Sequence, residues 1–542
     1  MPKSYKGAVQ FKPVPFIERP EFRPVQQRSA GCNLKNAAPP KPCHKDFDTV
    51  FRGLLRRVVV QPPKPDLALL AELKLFVEDW IKTNLTPLSP ESDLSIETWL
   101  SNTNYPAWRK QQLLDTWKKH GGVVTPTDFK VKGFVKEETY PEYKHARGIN
   151  ARTDLCKVLV GPIFKLIEKE VFKHPSFIKK IPKTERAKYI YDLLYSPEAV
   201  YFASDYTSYE SHFVKELFEA IEFPLYRYMT KALPCQQEFD DYLSFVIASD
   251  NFVEFEYFNF VINSTRMTGE MNTSLGNGFA NLMCLLFIAH KSNAGAVACI
   301  VEGDDSLFRV AKPDAFDESL YLKIGFTIKL EKHIDLNTAS FCGNVFDPTD
   351  LIIITDIMDA LNNVAWLPRR YVRSRSLMVR RLLRSRALSL LYEYSGCPVL
   401  QAYALYILRC TSGINLGNLR TNNTYIQEQE TEMLLFIEQY GLKSLIKEPG
   451  FRTRMLVEQK YGISVEHQLK MENYLNDLTV IQEIDHPIFE LYYTQSMIDY
   501  YTNYVRDQAD ESIAAENTPF FNLNVNVYDS NIIQKFNRTT TI

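Results

Sequence analysis

The chain has 542 residues, 45% hydrophobic and 24% charged, proportions of an ordinary globular protein that exclude wholesale disorder and collagen-like order. At about 150 residues per domain this length corresponds to three or four folding units. Lys and Arg number 63 against 65 Asp and Glu, a formal net charge of −2, which excludes a uniformly basic nucleic-acid binder but leaves room for a local basic channel.

Residues 1–66 hold 11 of the 29 prolines and 13 Lys/Arg against 5 Asp/Glu. Proline cannot continue a helix or a central strand, so an extended basic arm is expected there, a structural strap or an RNA-touching segment. The nine cysteines include no CxxC pair and read as reduced thiols of a cytosolic protein. Cys32 with Cys43 and His44 is the nearest approach to a metal cluster, without the paired ligands usual for zinc. No apolar run is long enough for a membrane span, and no apolar stretch follows Met1 as a signal peptide would require. Helical periodicity marks 67–83 and 108–119. Residues 199–205 read as a buried strand ending in an acid, 211–231 as a helix, and 273–291 as a second, mostly apolar helix. Short strands at 296–302 and 306–311 flank a tight turn. A helix at 314–324 and strands at 326–331, 340–346 and 351–355 follow. Helices dominate 358–506, and 507–542, with six Asn, reads as a loosely packed tail.

The turn is Gly303-Asp304-Asp305. Its apolar flanks present two carboxylates at a hairpin tip, where like charges need a cation, and magnesium is the expected hard-oxygen partner. Asp205 ends an earlier apolar strand. If that strand lies beside the hairpin, three carboxylates converge and can hold two metals about 3.5–4 Å apart. Read alone, Asp205 also suits a helix N-cap. Between these acids runs Arg266-Met267-Thr268-Gly269-Glu270-Met271-Asn272-Thr273-Ser274-Leu275-Gly276-Asn277, a Gly-containing loop opening a helix. Thr273 and Asn277 stand four apart, on one helical face, where hydroxyl and amide groups can bond a ribose 2′-OH.

The order of these segments resembles motifs A, B and C of RNA-dependent RNA polymerases from positive-strand RNA viruses, and the string from Thr268 to Asn277 is most similar to the tombusvirus-like branch. The resemblance covers roughly 130–346 by motif. It implies that Asp205 and Asp304 bind metal with Asp305 beside them. Glu210 stands where the family usually has the Asp that helps select ribose, and Thr268 replaces the more usual Ser before Gly269. Thr273 and Asn277 match the sugar-reading pair. Residues 134–152 look like motif F, whose cations grip an incoming triphosphate; Lys136, Lys144, Arg147 and Arg152 are the candidates. Residues 324–332 resemble motif D, in which a Lys protonates the pyrophosphate leaving group; Lys329 and Lys332 both qualify, and Lys332 is preferred. Residues 340–344 look like motif E, a hairpin supporting the growing 3′ end.

Eight arginines crowd 369–386. Arg369, Arg370, Arg373, Arg380 and Arg381 are candidate RNA phosphate contacts, with Arg375, Arg384 and Arg386 among them. Tyr492, Tyr493, Tyr500, Tyr501 and Tyr504 offer rings on which a first nucleotide can stack without a primer, or are core. The resemblance implies an α+β right hand: arm 1–66, fingers 67–198 with an insertion at 234–265, palm 199–233 and 266–356, helical thumb 357–506, tail 507–542. It implies a viral RNA-directed RNA polymerase using Mg²⁺, with Mn²⁺ as a substitute. Its partners are then ribonucleoside triphosphates, template and product RNA and other viral replicase proteins, in the host cytoplasm or recruited to membranes by a partner. A reverse transcriptase on the same palm and a non-catalytic RNA-binding replicase subunit are the alternatives.

Overall fold

The computed structural model describes residues 6–12, 27–43, 46–120, 124–416 and 424–505. Its strands are β1 (Ala8–Phe11), β2 (Val131–Val135), β3 (Gly148–Arg152), β4 (Tyr201–Tyr206), β5 (Asp250–Glu254), β6 (Phe258–Asn263), β7 (Val297–Glu302), β8 (Asp305–Val310), β9 (Ile328–His333), β10 (Val345–Asp347) and β11 (Ile352–Ile354). They form a mixed α+β fold with three sheets, ordered β7-β8-β4-β9, β1-β6-β5-β2-β3 and β10-β11.

Side-chain alternation explains the four-stranded sheet. Phe202, Cys299, Val301 and Phe308 face one core with the helices Leu67–Asn84, Asp154–Val171 and Thr273–Lys291. Tyr201, Ala203, Ile300 and Leu307 face another, closed by the Lys183–Leu194 helix and by Leu336, Phe341 and Phe346. Covered on both faces, β4 sits between β8 and β9, antiparallel to each. Only Asp205 in it is exposed. The Thr273–Lys291 helix is apolar nearly all round because it is buried nearly all round. A separate core gathers the C-terminal helices, including Ser376–Glu393 and Leu400–Cys410.

Four expectations change. The helix expected at 314–324 is shorter: a 3-10 turn at Pro313–Ala315 precedes an α-helix confined to Ser319–Ile324. Residues 211–231 do not form one α-helix. A 3-10 turn at Tyr209–His212 precedes a helix from Lys215, which widens into a π turn at Phe218–Glu222 before Phe223–Thr230. Pro224 has no N–H to continue the regular ladder, which accommodates it just past the wide turn. The expected strand at 340–346 contracts to β10, because Phe341 and Asn344 bridge across a tight turn in which Cys342 and Gly343 have positive φ. The arm is not extended throughout. Its proline-free stretch folds as the Phe47–Arg57 helix, capped by Asp46 accepting from the Asp48 N–H. Around it β1 pairs with β6, while Ser29 bridges Trp366 and Leu34 bridges Ile484. The arm therefore straps the sheet edge to the C-terminal helices. His44 and 507–542 lie outside the described residues. No helix among the described residues is long and apolar enough to cross a membrane.

Candidate active site

Register brings the acids together. Ser204 lies opposite Ser306 in the β4–β8 pairing, and their hydroxyls hydrogen-bond at 2.7 Å. The next step along both strands carries Asp205 and Asp305. The β7–β8 turn between Glu302 and Asp305 holds Asp304, with Gly303 at φ +63°, a conformation glycine adopts without strain. Asn281, on the buried helix, donates to the Gly303 carbonyl at 3.2 Å and fixes the turn. Burial raises the pKa of Asp304, helped by Glu210 and Asp205 nearby. Burial and then the Asp304 charge push Asp305 up to about 7. These carboxylates repel one another, and a bound cation or a retained proton relieves that.

Asp205 and Asp304 line a cavity of about 590 Å³ whose other wall is basic, with Arg56, Arg57, Lys144 and Arg147. A smaller adjoining cavity of about 180 Å³ shares Arg57 and Arg147 and adds Lys136, Glu210 and Thr268. Asn277 meets Glu210 there, its Nδ2 donating to Oε1 at 3.4 Å. Lys136 pairs with Glu138 at 2.9 Å, and Arg147 lies 3.6 Å from the same carboxylate. Thr268 Oγ1 accepts from the Asn150 N–H at 3.0 Å. A Cβ on Gly269 would stand 2.9 Å from Ala151 Cα, so glycine lets this loop lie against β3.

Several candidates stand elsewhere. Arg152 does not reach the cavity: its guanidinium is buried, bonding Glu270 at 2.5 Å, Asn251 at 2.6 Å and the Phe129 carbonyl at 2.9 Å. Thr273 Oγ1 donates to the Met267 and Glu270 carbonyls at the helix start, so Asn277 alone of that pair meets Glu210. Asp205 faces Lys329 across β4–β9, whereas Lys332 faces Phe202. With period-2 alternation Lys332 is then on the opposite face of the sheet from Asp205, its Nζ 5.6 Å from the Phe202 ring. Lys329 is exposed and pairs with Glu331 at 2.6 Å.

The arginine-rich segment divides. Arg384 donates to the Leu408 and Thr411 carbonyls, and Arg386 to those of Val364 and Trp366; both hold helices together. Arg373, Arg375 and Arg380 are exposed. Arg370 lies over the Tyr371 ring, the Arg369 N–H donates to Glu137 at 2.6 Å, and Arg381 is half-buried. Tyr500 is core, accepting from Gln27 at 2.8 Å and packing 6.1 Å from Tyr143. Tyr492 bonds His467 at 2.5 Å. Cys32 and Cys43 are buried and form no disulfide.

Two sets of residues escaped sequence reading. Arg56 and Arg57 reach the cavity from the helix inside the supposed arm. The gap between Pro42 and Pro62, with apolar Val50, Leu54 and Leu55, was the available signal. The second set is a buried chain of charges, Arg152–Glu270–Arg266–Glu222, which has no local sequence signature.

Among the described residues no group of three or more His, Cys, Asp or Glu side chains is arranged to hold a metal ion. The donor chemistry of Asp205, Asp304 and Asp305 nevertheless suits a hard divalent cation: oxygen ligands only, with negative charge in excess.

No protein-family model matches the chain. Over 340 residues it is 24% identical to the RNA-directed RNA polymerase of Oat chlorotic stunt virus (isolate United Kingdom), covering 56% of this chain and 44% of that protein. Over 232 residues it is 25% identical to the RNA-directed RNA polymerase of Panicum mosaic virus (strain United States/Kansas 109S), covering 41% of this chain and 22% of that protein. The matches span less than half of either relative, and they make the chain a distant homologue of viral RNA-directed RNA polymerases.

Proposed function

We propose that the chain is a template-directed RNA polymerase of a positive-strand RNA virus, folded as a right hand. In this reading 67–198 are fingers with an insertion at 234–265, 199–233 and 266–356 the palm, and 357–506 the thumb. The observation that carries it is one cavity with Asp205 and Asp304 on one wall and Arg56, Arg57, Lys144 and Arg147 on the other. An anionic substrate held by the arginines meets the carboxylates at its reacting end.

Asp205 and Asp304, with Asp305 beside them, would hold magnesium. When bound, the metal supplies Lewis-acid stabilisation of the attacking and leaving oxygens. Arg147 and Arg57 bind the triphosphate through charge-assisted hydrogen bonds, and Lys136 and Lys144 add charge around it. Glu210 and Asn277 meet the sugar. A 2′-hydroxyl can donate to the Glu210 carboxylate and accept from the Asn277 amide in one position, and a deoxyribose leaves both without a partner. The 3′-hydroxyl of the growing strand attacks the α-phosphate, and pyrophosphate leaves. Lys329, across from Asp205, is the better-placed proton donor for that group than Lys332. Exposed Arg373, Arg375 and Arg380, with Arg369, Arg370 and Arg381, contact RNA phosphates.

The test is RNA synthesis on a defined template with Mg²⁺ or Mn²⁺. Asp304→Asn is expected to reduce it by more than about 100-fold. Full synthesis by that variant refutes the assignment, and equal use of deoxynucleotides by the wild type points to a reverse transcriptase instead.

A further inference from the structure

Arg266 has a fully buried side chain. Its guanidinium carbon lies 4.7 Å from the Phe213 ring centroid and 5.1 Å from that of Phe218. One terminal nitrogen is bonded to Glu222, which is equally buried and accepts from the Tyr226 hydroxyl at 2.7 Å. The other stands 3.8 Å from Glu270. Its Nε donates to Asn277 Oδ1 at 3.2 Å. Asn277 is itself buried, and its Nδ2 points to Glu210.

A carboxamide has two ends of nearly equal shape and opposite hydrogen-bonding character. Which end faces a ligand decides what it recognises. Arginine has donors and no acceptor, and it keeps its charge even when buried. Only the oxygen end of Asn277 can therefore face Arg266. A flipped amide would set its NH₂ against the guanidinium and its oxygen against the Glu210 carboxylate. Donor would meet donor at the fully buried Arg266, where unmade hydrogen bonds are costly, and acceptor would meet acceptor at Glu210.

We infer that Arg266 is a positioning residue for sugar selection: it locks the Asn277 amide so that NH₂ faces Glu210 and the sugar. This rests on the polymerase reading and adds to it. Arg266 touches no substrate and acts through Asn277. Glu222 and the aromatic pair hold the guanidinium in its plane, and Gly276 gives them room, since a Cβ there would lie 2.3 Å from Glu222 Oε2.

The experiment measures kcat/KM for a matched ribonucleotide and its deoxy counterpart on one RNA template. Arg266→Lys keeps a charge for Glu222 but cannot hold Glu222 and Asn277 with one planar group. Its ribo-to-deoxy preference is expected to fall about tenfold, as for loss of one buried hydrogen bond. Asn277→Ala should lower the preference at least as far, and the double variant should match Asn277→Ala alone. Glu222→Gln, which leaves the Arg266–Asn277 bond in place, should keep the preference while losing thermal stability. If Arg266→Lys does not fold, the paired Arg266→Met/Glu222→Leu variant removes both buried charges together, with the same expected loss. Wild-type preference in the folded Arg266 variant, or losses that multiply in the double variant, overturns the inference. A wild-type chain that makes no RNA under any metal removes the polymerase reading and this inference with it.

Discussion

Two charged clusters lie within one helix of each other and are built on opposite terms. The Arg152–Glu270–Arg266–Glu222 chain is sealed from water, and each charge in it has an opposite neighbour. Asp205 and Asp304 at a cavity wall, with Asp305 beside them, instead crowd like charges, and burial and mutual repulsion raise the pKa of Asp304 and Asp305. Paired charge that is sealed in specifies a conformation. Unpaired charge held open is a standing demand for a ligand, and chemistry is sought there. Asn277 joins the two, bonded to Arg266 on one side and Glu210 on the other.

The largest effect should come from breaking the sealed cluster. Glu222→Ala leaves the Arg266 charge buried without its closest partner, at a cost of about 3–5 kcal/mol, readable in urea or thermal unfolding. Asp304→Asn should be the mirror image, removing activity while leaving the unfolding midpoint unchanged or raised, because a repelling charge is gone. An Asp304→Asn variant that unfolds as easily as Glu222→Ala would erase the distinction between the clusters.

Next in size is the basic wall. If Arg57 grips an incoming triphosphate as proposed, Arg57→Ala should raise its KM by about tenfold or more, with kcat little changed. Unchanged KM would return Arg57 to a purely structural part. That helix is held tightly. A Cβ on Gly53 would stand 2.0 Å from the Ala146 carbonyl oxygen, and Ser208 donates to the Arg56 carbonyl at 3.0 Å. Gly53→Ala should therefore displace both arginines together.

The same wall predicts a pH effect. His145 lines the cavity, and burial followed by the charges of Arg56 and Arg52, against the opposing effect of Asp48, lowers its pKa to about 4. An unfolded histidine titrates near 6.5. Between those values the unfolded chain binds the extra proton, so this contribution to stability is full above about 6.5 and is lost as pH falls toward 4. His145→Gln should lose less of its melting temperature between pH 7 and pH 5 than the wild type. Equal losses would mean that other groups set the acid limb.

How far these clusters were legible in the chain follows from what each needs. The hairpin acids and the Thr273–Lys291 helix announce themselves by local pattern, and the helix begins and ends where periodicity puts it. The choice between Lys329 and Lys332 needed a register, since a strand's alternation says that two lysines three apart face opposite ways but not which way. Arg152 looked like its motif neighbours because its partner Glu270 lies on a distant loop. The Phe47–Arg57 helix was hidden by averaging proline over the whole arm. Local physics is readable locally; partners across the fold are not.

The smallest effect concerns the arginine-rich segment, where one sequence signal covers two physical roles. Arg384 and Arg386 spend their donors on backbone carbonyls, so replacing either with Ala should lower stability and leave the salt dependence of RNA binding alone. Arg380 is exposed on the Ser376–Glu393 helix. If it meets an RNA phosphate, Arg380→Ala should weaken binding a few-fold without sequence preference. The slope of log affinity against log salt should become shallower by about 0.7 for a single strand. The slope separates the roles because only a phosphate contact releases a counterion on binding. A variant that loses affinity at an unchanged slope has lost shape, and Arg380 then belongs with Arg384 rather than with the RNA.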